Sequence, residues 1–216
     1  MDRPPVRPTD RSSRPRLLPG VQGVTSISIQ RRLFDARFAT RWFVGSGLDV
    51  GGGADSLALF VELFPRIQNV VIYDQEQGNA QLMDNVEDNS FDFLYSSHCL
   101  EHLDDPFEAL AHWIRVVKPD GHLIIDVPDE DLYEQGNWPS IFNITHKSTW
   151  TIDKDESWSP VSVNVLDLVR RFRDRIRPVK IELIDHGYRV SLWGTGLDQT
   201  RTPVAEAAIE IVLQKL

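Results

Sequence analysis

The sequence predicts an α/β fold in which a parallel sheet carries helices on both faces. Short runs of β-branched and aromatic residues alternate with longer runs that have helical periodicity, which is the pattern of repeated βαβ units. The chain has 216 residues, 41% hydrophobic and 25% charged. These values are typical of a globular protein that buries a sizeable core.

Composition and charge exclude several classes of protein. Cys99 is the single cysteine, which rules out a disulfide framework. No apolar run approaches the roughly 18–20 residues that span a bilayer. Acidic residues outnumber basic ones by 32 to 23, which argues against a nucleic-acid binder. We therefore expect a cytoplasmic protein with no stable membrane insertion and no nucleic-acid partner.

The charge is unevenly distributed along the chain. Residues 1–20 hold five arginines, two aspartates and five prolines, so they carry +3 while the rest of the chain carries −12. Proline removes backbone donors and little apolar surface is available for burial, so a solvated, disordered tail is expected. A basic arm for an acidic partner or a membrane surface is the alternative. Residues 21–216 are predicted to form a single domain, with a loop-rich insertion at about 129–160.

The elements of that domain follow from periodicity and from turn residues. Apolar residues recur at helical spacing before Gly45, and a second helical run ends at Pro65. Pro106 suits the first turn of a helix, and Lys118 to Gly121 form a turn. Helices are thus predicted at 27–41, 57–64, 106–117 and about 162–174, and strands at 47–50, 70–73, 91–95, 122–127, 179–185 and 208–213.

The first chemical signal is a glycine turn between a strand and a helix. Gly51, Gly52 and Gly53 follow the strand that contains Asp49. Glycines let the backbone approach a ligand, and a helix N-terminus offers free N–H groups. Asp74 ends the next strand, where a carboxylate can accept both hydroxyls of a ribose. The pattern indicates a site for a nucleotide-containing ligand.

Five short motifs together resemble the class I S-adenosylmethionine-dependent methyltransferases of the small-molecule, type 11 kind. The similarity is strong over about 45–130 and looser over 175–216. The motifs are Asp49-Val50-Gly51-Gly52-Gly53, Gly78-Asn79-Ala80, Asn89-Ser90-Phe91-Asp92, Ser97-His98-Cys99-Leu100-Glu101-His102-Leu103 and Val117-Lys118-Pro119-Asp120-Gly121-His122-Leu123.

The resemblance implies a fold, a cofactor and a binding edge. The fold is a Rossmann-like three-layer sandwich, with a mostly parallel sheet and a C-terminal antiparallel strand. The cofactor is S-adenosyl-L-methionine. The cofactor-binding residues are expected to be Asp49, Gly51, Gly53, Asp55, Asp74, Asn79, Ala80, Ser97 and His98.

Two departures from the family pattern bear on cofactor binding. Asp55 stands where the family carries a third glycine; its carboxylate can pair with the cofactor's ammonium or cap the next helix. Only four residues separate Asp74 from Asn79, where the family fits a helix and a further strand. One α/β unit is therefore expected to be shortened. Asn79 replaces the usual acidic residue, and its carbonyl can accept a hydrogen bond from the adenine amine.

Two histidines are candidate general bases. His98 follows a strand at the expected cofactor edge, and His146 lies in the loops after the strand predicted at 122–127. A histidine suits deprotonation of an acceptor near neutral pH. Glu101, Asp129 and Tyr133, together with His146, are predicted to bind the acceptor. A satellite core under the insertion is the alternative for Tyr133.

His98, Glu101 and His102 also match the H-x-x-E-H pattern of inverted zinc peptidases. That chemistry needs both histidines on one long helix and a distant third ligand. The triplet instead follows a buried strand and precedes Asp104-Asp105-Pro106. No metal site is therefore predicted.

The predicted function is methyl transfer to an O or N atom of a small polar metabolite, such as a saccharide or lipid-linked precursor. An NAD-dependent oxidoreductase is disfavoured because Ser56 stands where its fingerprint needs glycine or alanine. A non-catalytic binding protein on the same fold is favoured only by Asp55 and the shortened unit. The oligomeric state does not follow from the sequence.

Overall fold

The computed structural model describes residues 23–202 and 205–216, so the predicted tail over 1–20 lies outside the described residues. The described residues form three α-helices: α1 (Val24–Leu33), α2 (Pro106–Val116) and α3 (Val165–Arg171). The same part of the chain forms eight strands: β1 (Gly45–Val50), β2 (Ile67–Tyr73), β3 (Phe91–Ser97), β4 (Val117–Pro128), β5 (Thr149–Thr151), β6 (Ser162–Asn164), β7 (Ile176–Ile184) and β8 (Ala208–Lys215).

Six strands form one sheet in the order β2-β1-β3-β4-β8-β7. The first four run parallel, and β8 is antiparallel to both β4 and β7. β5 and β6 form a separate two-stranded sheet. The main sheet is the Rossmann-like sheet with a C-terminal antiparallel strand that the motifs implied.

The central strands of the sheet are buried on both faces, and alternate residues along them face opposite layers. On β3, Leu94 packs into a core with α2 and α3, whereas Phe93 and Tyr95 pack into a second core with α1. The same alternation holds on β4, where Leu123 and Ile124 belong to opposite cores. This confirms the three-layer arrangement.

Helix α2 forms where its local signals predicted a helix. The Asp105 side chain accepts hydrogen bonds from the backbone N–H groups of Phe107 and Glu108, and Pro106 takes the first helical position. The helix ends at Val116 because β4 begins at the next residue. Trp113, fully buried on this helix, donates its indole N–H to the carbonyl of Ala80.

The helix predicted at 27–41 is wrong in its extent. Helix α1 ends at Leu33, and a π-helical turn over Phe38–Trp42 follows a break. Asp35 causes the break, because its carboxylate accepts from the backbone N–H of Arg37 two residues later. Such local side-chain bonds offer the backbone an alternative to the helix.

Three further segments can be compared with their predicted form. The run at 57–64 forms a 3-10 helix over Leu57–Leu63. No helix or strand forms between residues 74 and 90, which agrees with the expected shortened unit. The insertion at 129–160 contains a π-helical turn (Glu130–Glu134) and β5.

Candidate functional site

Helix α1 lies over the carboxyl ends of β3 and β4 because a buried ion network holds it there. The Arg32 side chain is fully buried and donates to Glu210 at 2.9 and 3.0 Å and to the hydroxyl of Tyr95 at 2.8 Å. It also pairs with Asp126 on β4. Although burial acts to raise the pKa of Glu210, three basic groups around it lower that pKa to about 2.

The glycine turn meets Asp74 at the carboxyl ends of β1 and β2. Gly51 adopts φ +75° and donates its N–H to the carbonyl of Tyr73. A Cβ at Gly51 would lie 2.7 Å from Cβ of Cys99, so both conformation and packing require glycine. Gly53 is more open, because a Cβ there would meet only Oδ2 of Asp74, at 3.6 Å.

The residues at this edge fit the predicted cofactor. Among residues 23–202 and 205–216, Oδ2 of Asp74 has no hydrogen-bond donor, and Oδ1 accepts only from the adjacent N–H of Gln75. A partly exposed carboxylate with a free oxygen suits a ribose diol. The space beside Gly53 admits a ligand close to the backbone.

Asp49 is buried directly beneath the glycine turn. Its Oδ2 accepts from the hydroxyl of Ser56 and, at 2.7 Å, from the N–H of Leu57. Its Oδ1 has no partner among the described residues. Burial raises the pKa of Asp49 from 3.8 to about 6, despite these hydrogen bonds. Asp49 thus holds the turn in shape from below.

We expect Asp49→Asn to change the pH dependence of stability. The pKa of Asp49 is higher in the folded chain than in the unfolded one, so the wild-type protein loses stability as pH rises from about 4 to 6. The loss amounts to roughly 3 kcal/mol, and the asparagine variant does not share it. Urea unfolding of both proteins between pH 4 and 7 measures this difference. Parallel pH profiles would contradict the assignment.

Asp55 does not cap the next helix as predicted, and its predicted contact with the cofactor stays a prediction. Its carboxylate accepts hydrogen bonds from the backbone N–H and the hydroxyl of Ser26, in the first turn of α1. Ser56, not Asp55, caps the 3-10 helix that follows, through a bond from the N–H of Ala58. Asp55 therefore fastens α1 to the glycine turn.

Asn79 and Ala80 lie in the shortened segment after Asp74. The Asn79 side-chain oxygen already accepts from the backbone N–H groups of Gln81 and Leu82, so its amide N–H₂ group is the more available for a ligand. The carbonyl of Ala80 accepts from Trp113. The adenine-side role predicted for these residues stays a prediction.

A cleft opens beside the ends of β3 and β4, under α1. Ser97 and His98, both predicted from the sequence, lie in its wall. The polar side chains that line it are Ser28, Ser97, His98, Asp126, Thr200 and Glu206.

His98 has an unusual backbone and a buried acidic neighbour. Its φ of +55° is uncommon for a non-glycine residue and places the ring at the strand end. Nδ1 of the ring lies 3.3 Å from Oε1 of Glu101, which is fully buried. Burial disfavours the charged ring, but contact with Glu101 outweighs it and raises the pKa of His98.

His146 approaches the same carboxylate from the insertion. Its Nε2 lies 3.8 Å from Oε1 of Glu101, and its Nδ1 lies 2.7 Å from Oε1 of Glu134. The structure thus brings His98, Glu101 and His146 together. The roles predicted for them at the acceptor stay predictions. Tyr133 packs on His146 with ring centroids 5.4 Å apart.

Asp129 is placed by its own turn. Its carboxylate accepts from the backbone N–H groups of Asp131 and Leu132, and burial raises the pKa of Asp129 to about 6. These bonds occupy Oδ1, so an acceptor-binding role rests on the other oxygen and stays a prediction.

Several residues of the site lie outside the sequence motifs, so they were not identified from the sequence. Ser28, Thr200 and Glu206 line the cleft, and Arg31 holds Glu206 through two hydrogen bonds of 3.0 and 3.1 Å. The loop that ends before β8 and the first helix carry no family motif. Their only signal in the sequence is a pair of adjacent arginines within an apolar helical run.

A family model described as a methyltransferase domain matches residues 28–158, which is more than half of the chain. The chain belongs to this family. With its Rossmann-like fold, it is a class I S-adenosylmethionine-dependent methyltransferase, and S-adenosyl-L-methionine is its cofactor, as the motifs implied. No curated protein sequence matches the chain significantly.

Solved structures of methyltransferases share the fold over most of the chain. An S-adenosylmethionine-dependent methyltransferase from Archaeoglobus fulgidus is 17% identical with a TM-score of 0.58, covering 89% of this chain and 95% of its own. A possible histamine N-methyltransferase from Thermotoga maritima is 18% identical with a TM-score of 0.55, covering 89% and 91%. At 17% and 18% sequence identity, these structural similarities establish the fold of the chain.

One further structural neighbour was solved with a cofactor product. The N-methyltransferase NodS from Bradyrhizobium japonicum, in complex with S-adenosyl-L-homocysteine, is 11% identical with a TM-score of 0.51, covering 89% of this chain and 88% of its own.

None of the helices formed by the described residues has the length and apolarity needed to cross a bilayer.

Proposed function

We propose that this methyltransferase transfers the methyl group to an O or N atom of a small polar metabolite, and that the acceptor enters the cleft beside His98. The observation that carries this proposal is the cleft itself. Hydroxyl, imidazole and carboxylate side chains converge in its wall, and such groups suit recognition of a polar metabolite.

The charges around the cleft favour a polar but uncharged acceptor group. Glu206 is paired with Arg31, and Asp126 is paired with Arg32, so both carboxylates in the wall are already neutralised. Hydroxyl groups and neutral amines can then bind without displacing an ion pair. Saccharides and lipid-linked precursors of saccharides are the first acceptors to test.

His98 is the better placed of the two candidate bases. Both histidines contact Glu101, but His98 lines the cleft, whereas His146 is 8% exposed and engages Glu134 through Nδ1. Methyl transfer needs the acceptor lone pair aligned with the carbon–sulfur bond, and a base only where a proton must leave. His98 is proposed to accept that proton, and His146 to orient Glu101.

The proposal predicts release of S-adenosylhomocysteine with a hydroxyl- or amine-bearing metabolite. In a screen across metabolite classes, the wild-type protein turns over an acceptor of this kind. The test variant is His98→Asn, because asparagine adopts the left-handed backbone conformation of this position more readily than most residues do. We expect it to lower kcat by about 10²- to 10⁴-fold while the Kd for S-adenosylmethionine stays unchanged.

A matched control and two contrary outcomes complete this test. His186 is exposed on the turn after β7, and His186→Ala is expected to match the wild-type rate. Equal loss of cofactor affinity and rate in His98→Asn would assign His98 to cofactor binding or folding. Cofactor binding without product for any acceptor would favour a non-catalytic binding protein.

A further inference from the structure

A cluster of metal-ligating side chains lies beside the cleft. Oε1 of Glu101 is 3.9 Å from Nε2 of His102 and 3.8 Å from Nε2 of His146. One ligand atom from each of the three residues can be chosen so that all lie within 4.8 Å of one another. Two imidazoles and one carboxylate form a ligand set that binds divalent transition metals.

The second nitrogen of each imidazole is held by a partner outside the cluster. Nδ1 of His146 lies 2.7 Å from Oε1 of Glu134, and Nδ1 of His102 lies 3.2 Å from the backbone carbonyl of Thr145. Both contacts suit a proton on Nδ1, which leaves the lone pair on Nε2. A carboxylate or carbonyl on the far nitrogen is the usual outer support of a metal-binding histidine.

The carboxylates of the cluster have histidines as their only basic neighbours among the described residues. Glu101 and Glu134 are both fully buried, and both oxygens of Glu101 and Oε2 of Glu134 have no hydrogen-bond partner among the described residues. Apart from histidines, no basic side chain within residues 23–202 and 205–216 forms an ion pair with either carboxylate. Burying two such charges without a cation is costly, and one divalent ion would balance both.

We infer that Glu101, His102 and His146 form a binding site for one divalent transition-metal ion of the zinc class, with Glu134 and Thr145 supporting its ligands. Around tetrahedral zinc, ligand atoms bonded at about 2.0–2.1 Å stand roughly 3.3 Å apart. The two distances from Oε1 of Glu101, 3.8 and 3.9 Å, exceed this by about half an ångström, and all three ligand atoms already lie within 4.8 Å of one another. Three protein ligands leave a fourth position for water or an acceptor group, as in catalytic sites.

Backbone contacts hold the two parts of this site together. The N–H of Lys147 donates to the carbonyl of Glu101 at 2.8 Å, and the N–H of Ser148 donates to the same oxygen at 3.3 Å. The loop that carries His146 is thereby tied to the 3-10 turn Leu100–His102. The sequence predicted no zinc site because there is no room for a long helix at His98. In the structure, the loop that carries His146 supplies a ligand, so no long helix is needed.

Zinc binding to untagged, chelator-treated protein tests this inference without a methyl acceptor. Equilibrium dialysis against ZnCl₂ is expected to yield one zinc per chain. Co²⁺ in its place is expected to develop visible ligand-field bands with the same stoichiometry. His102→Ala/His146→Ala is expected to lose both signals, while the exposed control His186→Ala keeps them. Glu134→Gln is expected to weaken the affinity by about 10- to 100-fold.

The outcomes separate a metal site from a hydrogen-bonded cluster. Wild-type protein that binds no stoichiometric zinc or cobalt would overturn the inference, and this arm depends on no variant. Zinc retained by the folded double variant would overturn it too. Circular dichroism confirms that each variant is folded. These measurements do not involve S-adenosylmethionine. The metal-binding result can therefore be interpreted even if the proposed methyl transfer is not observed.

Discussion

Arg32→Met is expected to destabilise the protein by about 3–5 kcal/mol, because it leaves buried acids without their main counter-ion. The guanidinium of Arg32 is fully buried and pairs with both Asp126 and Glu210. Methionine has a similar volume, so packing changes little while the charge is lost. Urea unfolding at neutral pH measures the difference in free energy. We also expect α1 to loosen, since this network fixes it over the cleft.

A matched control separates this effect from the loss of any arginine. Arg37 pairs with Asp35 at 2.7 Å, but its side chain is 47% exposed. Arg37→Met is therefore expected to cost about 0–1 kcal/mol. Equal, small effects of the two substitutions would contradict the importance of the buried network. A smaller loss in Arg32→Met than about 1 kcal/mol would show that Arg31 and Lys180 suffice to neutralise Glu210.

Asp74→Ala is expected to weaken S-adenosylmethionine binding by about 1.5–3 kcal/mol, which is roughly 10- to 150-fold in Kd. The reason is the loss of a charge-assisted pair of hydrogen bonds to the ribose. Asp74 is suited to that role because its Oδ2 faces Gly53 and has no donor within the described part of the chain. Calorimetric titration with the cofactor measures the change.

The control for this substitution removes the same charge two residues away. Glu76 is exposed in the segment after β2, where it has no described contact with the glycine turn. Glu76→Ala is expected to bind the cofactor as the wild-type protein does. If the two variants lose affinity equally, the effect is one of general charge. Unchanged affinity in Asp74→Ala would refute the ribose assignment.

Local signals were enough to predict most of the sheet and α2. Pro106 marks the start of α2, and runs of β-branched and aromatic residues mark the strands of the main sheet. The break in α1 was missed because Phe38 and Phe43 continue the helical spacing beyond Leu33. Asp35 breaks the helix through one local hydrogen bond, and periodicity does not register such a bond.

The candidate site was predictable only where motifs occur. The glycine turn, Asp74 and His98 follow strand ends, so parallel-sheet topology alone brings them to one edge. The buried role of Arg32 could not be predicted, because its partners Asp126 and Glu210 lie 94 and 178 residues along the chain. Likewise, the approach of His146 to Glu101 depends on how a long loop folds back. Such tertiary juxtapositions leave no periodic signal in one sequence.

Binding of S-adenosyl-L-methionine, set against binding of NAD, tests the central claim most directly, since both ligands carry the ribose that Asp74 would hold. Calorimetric titration of the full chain is predicted to give one S-adenosylmethionine per chain and no detectable binding of NAD. S-adenosylhomocysteine is predicted to compete for the same site. Binding of NAD with none of S-adenosylmethionine would contradict the assignment of this edge to a methyl-donor cofactor.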